Sequence, residues 1–186
     1  MSRYIETHWE ATASSPVPVF GCTGENVRMR KRILAPGLAV PQSALNQGWL
    51  DLSQIATVEV TSEDVGFPID GAFESKEGRG WRAGTPGEQQ IRIIFDNPVS
   101  LHRIELRFDE PDVQRTQEFI LRWCSELRGV WTEIVRQQWN FSPEGSTTEI
   151  ESYVVDLQDV LVLELAILPH RQPHSIFATL ASWRLR

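Results

Sequence analysis

Apolar and polar residues alternate one for one, run after run, from Ala56 to the C-terminus, and few folds can use such a pattern. In Ala56–Thr61, Val58 and Val60 alternate with Glu59 and Thr61, and in Gln90–Asp96, Ile91, Ile93 and Phe95 share one face. Leu101–Asp109 sets Ile104, Leu106 and Phe108 against Arg103, Glu105 and Arg107, and Phe119, Leu121 and Trp123 alternate with Glu118, Ile120 and Arg122. The series continues through 131–139, 148–157, 160–168 and 177–185. Successive side chains of a strand point to opposite faces, so each run buries one face and exposes the other, as antiparallel sheets require. Runs that recur about every 8–12 residues, with turn residues between them, mark a sandwich or barrel. No stretch holds a 3.6-residue period of useful length. The expectation is an all-β, antiparallel two-sheet β-sandwich over 47–186, with a turn at Asn97-Pro98. Residues 1–46 read as an irregular N-terminal extension that adds a strand or two.

The connections between these runs are alternately long and short. Long ones fall at 62–89, 109–117, 138–147 and 169–176, and short ones at 97–100, 127–130 and 158–159. If each strand reverses the one before it, all four long loops lie at one end, where sandwiches usually place their binding residues. The longest, Phe67–Gln90, carries Gly71, Gly78, Gly80, Gly84 and Gly87 with Pro68 and Pro86, too many turn residues for helix or strand. Arg79, Trp81 and Arg82 within it argue against disorder.

Composition excludes several functions. A net charge of −7 opposes binding along a phosphate backbone, and the basic run Arg28–Arg32 is short enough to be a solvated strand face. The chain has no 18-residue apolar run to span a membrane and no apolar core near its start to act as a signal peptide. With Cys22 and Cys124 read as reduced thiols, the expected location is the cytoplasm. No nucleophile elbow, phosphate loop, dinucleotide fingerprint or zinc motif is present, so the chain reads as a binding module and not an enzyme.

The candidate binding residues lie in the long loops. Arg79, Arg82 and Arg115 form a cluster whose planar forks suit hydroxyl pairs, carboxylates or phosphates. Each could equally be paired on the surface with Glu74, Glu77, Glu110 or Asp112. Trp139 and Asn140 combine an aromatic plane with an amide, as a sugar site would want, or else plug the sandwich end. Trp81 is either a stacking platform or, as the preferred reading, a core residue. His170 adds a polar group to the last loop, where Pro169 and Pro173 exclude the helix that a His170–His174 zinc pair would need.

The order Asp70-Gly71, Trp81-Arg82-Ala83-Gly84, then Gln89-Gln90-Ile91-Arg92-Ile93-Ile94-Phe95-Asp96 resembles the discoidin superfamily. That superfamily takes in the coagulation-factor type C domains and the galactose-binding carbohydrate modules. Val99–Phe108, Arg115-Thr116-Gln117-Glu118-Phe119 and Phe177-Ala178-Thr179-Leu180-Ala181 extend the likeness to about residues 49–186. The resemblance implies an eight-stranded jelly roll whose end loops bind sugars, lipid head groups or proteins. It also implies a structural calcium beside Asp70, although Ser182 or Trp183 stands where relatives supply a glutamate, and calcium wants six to eight oxygen ligands. No cofactor is otherwise expected. The functional expectation is a non-catalytic module that binds a carbohydrate or similar polar ligand through Arg79, Arg82, Arg115, Trp139, Asn140 and His170. The alternative is an intracellular protein–protein interaction or assembly domain.

Overall fold

The computed structural model describes residues 45–46, 48–74, 79–169 and 176–186. Ten strands run in chain order: β1 Leu45–Asn46, β2 Trp49–Leu50, β3 Ala56–Val60, β4 Trp81–Arg82, β5 Gln89–Asp109, β6 Arg115–Cys124, β7 Thr132–Phe141, β8 Thr148–Leu168, β9 Thr179–Leu180 and β10 Ser182–Leu185. Two single helical turns accompany them, α1 Leu52–Ile55 and α2 Asp70–Phe73. All pairings between named strands are antiparallel. The expected extension lies outside the described residues except for β1, which pairs with β2 and so joins the folded part.

Two long strands organise the architecture. β5 and β8 pair along most of their length, and the register breaks between Ile94 and Val99, Val99 and Leu101, and Leu101 and Arg103. On the near side of the break, Ile91–Phe95 of β5 lies between β3 and the second half of β8, which in turn pairs with β6, and β6 with β7. On the far side, Ile104–Arg107 of β5 lies between β10 and the first half of β8. The β5–β8 ribbon thus contributes a strand pair to each of two layers, one of five strands and one of three. This is the eight-stranded sandwich expected.

The break also explains a change in burial parity. Before it the odd residues Ile91, Ile93 and Phe95 are buried; after it the even residues Ile104, Leu106 and Phe108 are. Strand side chains have period two, so a one-residue irregularity moves the apolar set to the opposite face, as needed when a strand crosses to the facing layer. Asp159, at φ 56° the one non-glycine residue with positive φ among those described, marks the matching corner of β8. Asn97-Pro98 is therefore not a turn between two strands but the corner of one. Proline suits it, because a corner residue gives up its ladder hydrogen bond anyway. Likewise 148–157 and 160–168 are one strand, whereas 177–185 divides at Ala181 into β9 and β10.

Between the layers lie Ile91, Ile93, Leu101, Ile104, Leu106, Phe108, Phe119, Leu121, Leu163, Leu165 and Ile167, all with 0% exposure. Each such side chain contributes roughly 1.5–3 kcal/mol by leaving water. Phe108 of the three-stranded layer meets Phe119 of the five-stranded layer at 5.3 Å between ring centroids. The Tyr153 hydroxyl donates across the layers to Gln137 Oε1 at 3.2 Å.

The loop after β3 contains more regular structure than its composition suggests, since Asp70–Phe73 forms α2 and Trp81-Arg82 forms β4. Its glycines are used for close approach. A Cβ on Gly71 would stand 2.7 Å from the carbonyl oxygen of Gly80, and Gly80 itself has φ +69°. Phe73 and Trp183, 6.0 Å apart, anchor this pinch to the core.

Candidate functional site

Strand β9 is two residues long, yet it decides which side chains line the loop end. Ala178 and Leu180 are buried, so Phe177 and Thr179 face the other way, toward the loop that leads into β6. β9 pairs with β4 through Trp81–Leu180 and Arg82–Thr179. Backbone bonds from Asp64 N to Arg82 O (2.9 Å) and from Arg82 N to Phe67 O (3.1 Å) tie β4 to the start of its loop. Three connections therefore converge on one cleft of about 340 Å³, lined among others by Arg79, Arg82, Glu110, Arg115 and Phe177. The fourth, after β7, adjoins it: Glu110 N donates to Thr147 O at 2.7 Å. At the opposite end the corners of β5 and β8 meet, with Ser100 Oγ donating to Gln158 Oε1 at 2.6 Å.

The floor of the cleft is a buried ion pair. Arg115 and Glu110 are 5% and 7% exposed and pair directly. Arg115 Nη1 donates to the carbonyl of Phe177 at 3.0 Å, and the Thr179 hydroxyl donates to Glu110 Oε1 at 2.5 Å. This network locks the loop after β5 to the segment entering β9. Burial lowers the Arg115 pKa to about 10, and the guanidinium stays charged at neutral pH. Arg115 Nε is buried without a hydrogen-bond partner, as is Nε1 of Trp81 in the core behind the cleft.

The rim has a different character. Arg79 and Arg82 are exposed, and the Arg82 guanidinium lies 4.8 Å from the centroid of the Phe177 ring. Asp109 is engaged by Arg107 Nε at 3.0 Å and by the Thr148 hydroxyl at 2.9 Å, while Asp112 is exposed.

The three arginines singled out from the sequence thus line one cleft, although Arg115 opens strand β6 and lies in its floor, not in a loop. Trp81 is a core residue at 1% exposure. Trp139 and Asn140 end β7 and are not loop residues. Trp139 is half-buried and packs against the core, whereas Asn140 points outward and its Oδ1 accepts from Thr116 Oγ1 at 2.7 Å; neither lines the cleft. His170 lies outside the described residues. Asp70 opens α2, and no group of three His, Cys, Asp or Glu side chains comes together among the described residues. Across the core from α2 stands Trp183, which supplies a ring and no carboxylate.

Phe177, Glu110 and Thr179 were not among the expected ligand-binding residues. The alternation of β9 could have found Phe177 and Thr179, because Ala178 and Leu180 are its apolar partners. A second polar cluster lies on the outer face of the five-stranded layer. Glu164, with no exposed surface, accepts from Arg92 Nε at 2.5 Å and from Arg122 Nε at 2.6 Å. The Trp131 ring lies 5.8 Å and 4.8 Å from these two guanidinium groups.

No helix among the described residues is long and apolar enough to cross a membrane. Comparison of the sequence with family models and with curated proteins finds no match. Comparison of the fold does. A pectin-binding carbohydrate-binding module matches with a TM-score of 0.53 at 13% identity, over 71% of this chain and 90% of that one. The paired CBM32 modules of Clostridium perfringens ZmpB, solved with GalNAc, match with a TM-score of 0.53 at 16% identity, over 76% of this chain and 37% of that one. A Ruminococcus gnavus GH29 fucosidase matches with a TM-score of 0.51 at 9% identity, and the chain spans only 24% of its length. The chain shares the antiparallel β-sandwich fold of the two carbohydrate-binding modules.

Proposed function

We propose that this chain is a non-catalytic carbohydrate-binding module whose ligand sits in the cleft between β4, β9 and the loop after β5. The observation that carries the reading is the cleft itself. It stands at the loop end of a fold shared with carbohydrate-binding modules, has an aromatic ring at Phe177, and is floored by a fixed ion pair. A pocket with apolar surface and a few fixed polar groups is the usual form of a small-ligand site. Phe177, with Arg82 lying over its ring, supplies apolar surface against which the C–H groups of a sugar can pack, and the arginines supply donors to its oxygens. Because Arg115, Glu110 and Thr179 hold one another, the floor is rigid before a ligand arrives, which limits the ordering cost of binding. Trp139 and Asn140 have no part in this site. The assembly reading draws no support from the comparisons.

The test is a glycan array followed by calorimetry on the full chain. At least one mono- or oligosaccharide is expected to bind with a dissociation constant at or below about 1 mM, equivalent to about −4 kcal/mol. Phe177→Ala is expected to abolish that binding while the protein stays folded. Silence across the array, or binding indifferent to Phe177→Ala, would refute the proposal.

A further inference from the structure

The polar groups of the cleft are unequally committed, and the imbalance points to a ligand class. On the acceptor side, Glu110 is taken by Arg115 and Thr179, and Asp109 by Arg107 and Thr148. The carbonyl of Phe177 is taken by Arg115, and that of Phe67 by the amide of Arg82. Asp112 is the carboxylate left at the rim. On the donor side, Arg79 and Arg82 carry five N–H groups each, and neither has a carboxylate within 4.0 Å among the described residues.

A neutral sugar hydroxyl both donates and accepts, so a site for neutral sugars interleaves donors with acceptors. This cleft offers donors in excess. The charged lining is balanced in number, Arg79, Arg82 and Arg115 against Asp109, Glu110 and Asp112, but Glu110 and Asp109 are already engaged, which leaves two arginines facing one carboxylate. The position of Arg82 over the Phe177 ring limits the wandering of its side chain and so presents a fixed planar fork. A carboxylate is the complement: it accepts only, is planar, and can take two parallel N–H bonds from one guanidinium.

Resting on the carbohydrate reading above, we infer that the cleft selects saccharides bearing a carboxylate, with Arg79 and Arg82 as the groups that hold it. The experiment compares galacturonate with galactose and glucuronate with glucose by calorimetry on the full chain, each pair differing at C6 alone, and adds the methyl ester of whichever acid binds. The acid of at least one pair is expected to bind about tenfold or more tightly than both its neutral partner and its ester. That ratio should shrink on raising salt from 50 to 500 mM, since the rim is exposed and screening shortens to a few ångströms. It should fall toward unity in the double variant Arg79→Gln/Arg82→Gln, because the acid loses more affinity there than the neutral sugar does. Equal affinity for acid and neutral sugar would overturn the inference and leave the carbohydrate site standing. A preference for the acid that survives in the double variant would overturn the assignment to these arginines. Failure of every sugar, in this panel and on the array, would sink the underlying reading as well.

Discussion

Replacing Arg115 by methionine keeps the unbranched apolar stem of the side chain and removes the guanidinium, so it tests the work done by the ion pair in the cleft floor. In the variant Glu110 keeps the Thr179 hydroxyl but loses its cation, in a site where its side chain is 9% exposed. The carbonyl of Phe177 loses its 3.0 Å bond as well. Stranding one member of a buried pair costs about 3–5 kcal/mol, which sets the expected loss at neutral pH. For a chain of this size each kcal/mol corresponds to about 2–4 °C, so the melting temperature should fall by roughly 10 °C or more. The assay is urea unfolding followed by tryptophan fluorescence, with the slope checked for constancy. A second signature is independent of magnitude. An unpaired buried carboxylate favours its neutral form, so its folded pKa lies above the unfolded value near 4.3. The contribution of Glu110 to the variant's stability is then full below about pH 4 and is lost as pH rises through the folded pKa. Arg115→Met should accordingly cost less at pH 4 than at pH 7, and adding Glu110→Gln should recover part of the loss at pH 7. A cost under 1 kcal/mol, or one that does not change between pH 4 and pH 7, would refute the account of the floor as a buried pair.

Gly71→Ala places a methyl group 2.7 Å from the carbonyl of Gly80, both on backbone, and is expected to lower stability by about 1–3 kcal/mol and to weaken cleft binding; unchanged melting would disprove the pinch. Gln117 is fully buried on β6 with neither side-chain polar atom partnered, so Gln117→Leu should be neutral or raise stability by about 1 kcal/mol, measured in urea. Burial, and secondarily Glu151, pushes the Tyr153 pKa up, so its folded-state stability is complete below pH 10 and drains away above it. The difference between the 295 nm titrations of the wild type and Tyr153→Phe should therefore show a tyrosine that ionises well above pH 10.

Strands were legible because their signal is local. Ile91, Ile93 and Phe95, or Ile104, Leu106 and Phe108, announce their own burial by alternation, and the recurrence of such runs pointed to two layers. What alternation does not carry is continuity. Asn97-Pro98 reads the same whether it reverses the chain between two strands or bends one strand over an edge, since both remove a proline from the ladder. The outcome depends on pairing partners some 60 residues away in β8. The cleft was partly legible for a similar reason. Arg79 and Arg82 stand in a loop rich in turn residues, whereas the status of Arg115 depends on Glu110 and Phe177, whose positions come from different ends of the chain. Trp139 and Asn140 were misplaced because β7 runs two residues further than its apolar pattern suggests. The Glu164 cluster left no trace in the sequence, because a glutamate at an alternating position reads as solvent-facing until Arg92, Arg122 and Trp131 are seen to close over it.

The folded ribbon of β5 and β8 makes the two ends of this molecule unequal with respect to change in chain length. At the corner end β5 and β8 offer no loop to lengthen, and the connection there is the one between β6 and β7 at 125–131. A residue inserted between Phe95 and Leu101, or beside Asp159, would slip the register and turn a layer's apolar face outward. At the cleft end, the exposed stretches 111–114 between β5 and β6 and 143–146 between β7 and β8 can take added residues at a cost that rises only slowly with length. Changes of length at the rim of the cleft therefore leave the register of the two layers, and with it the core, untouched.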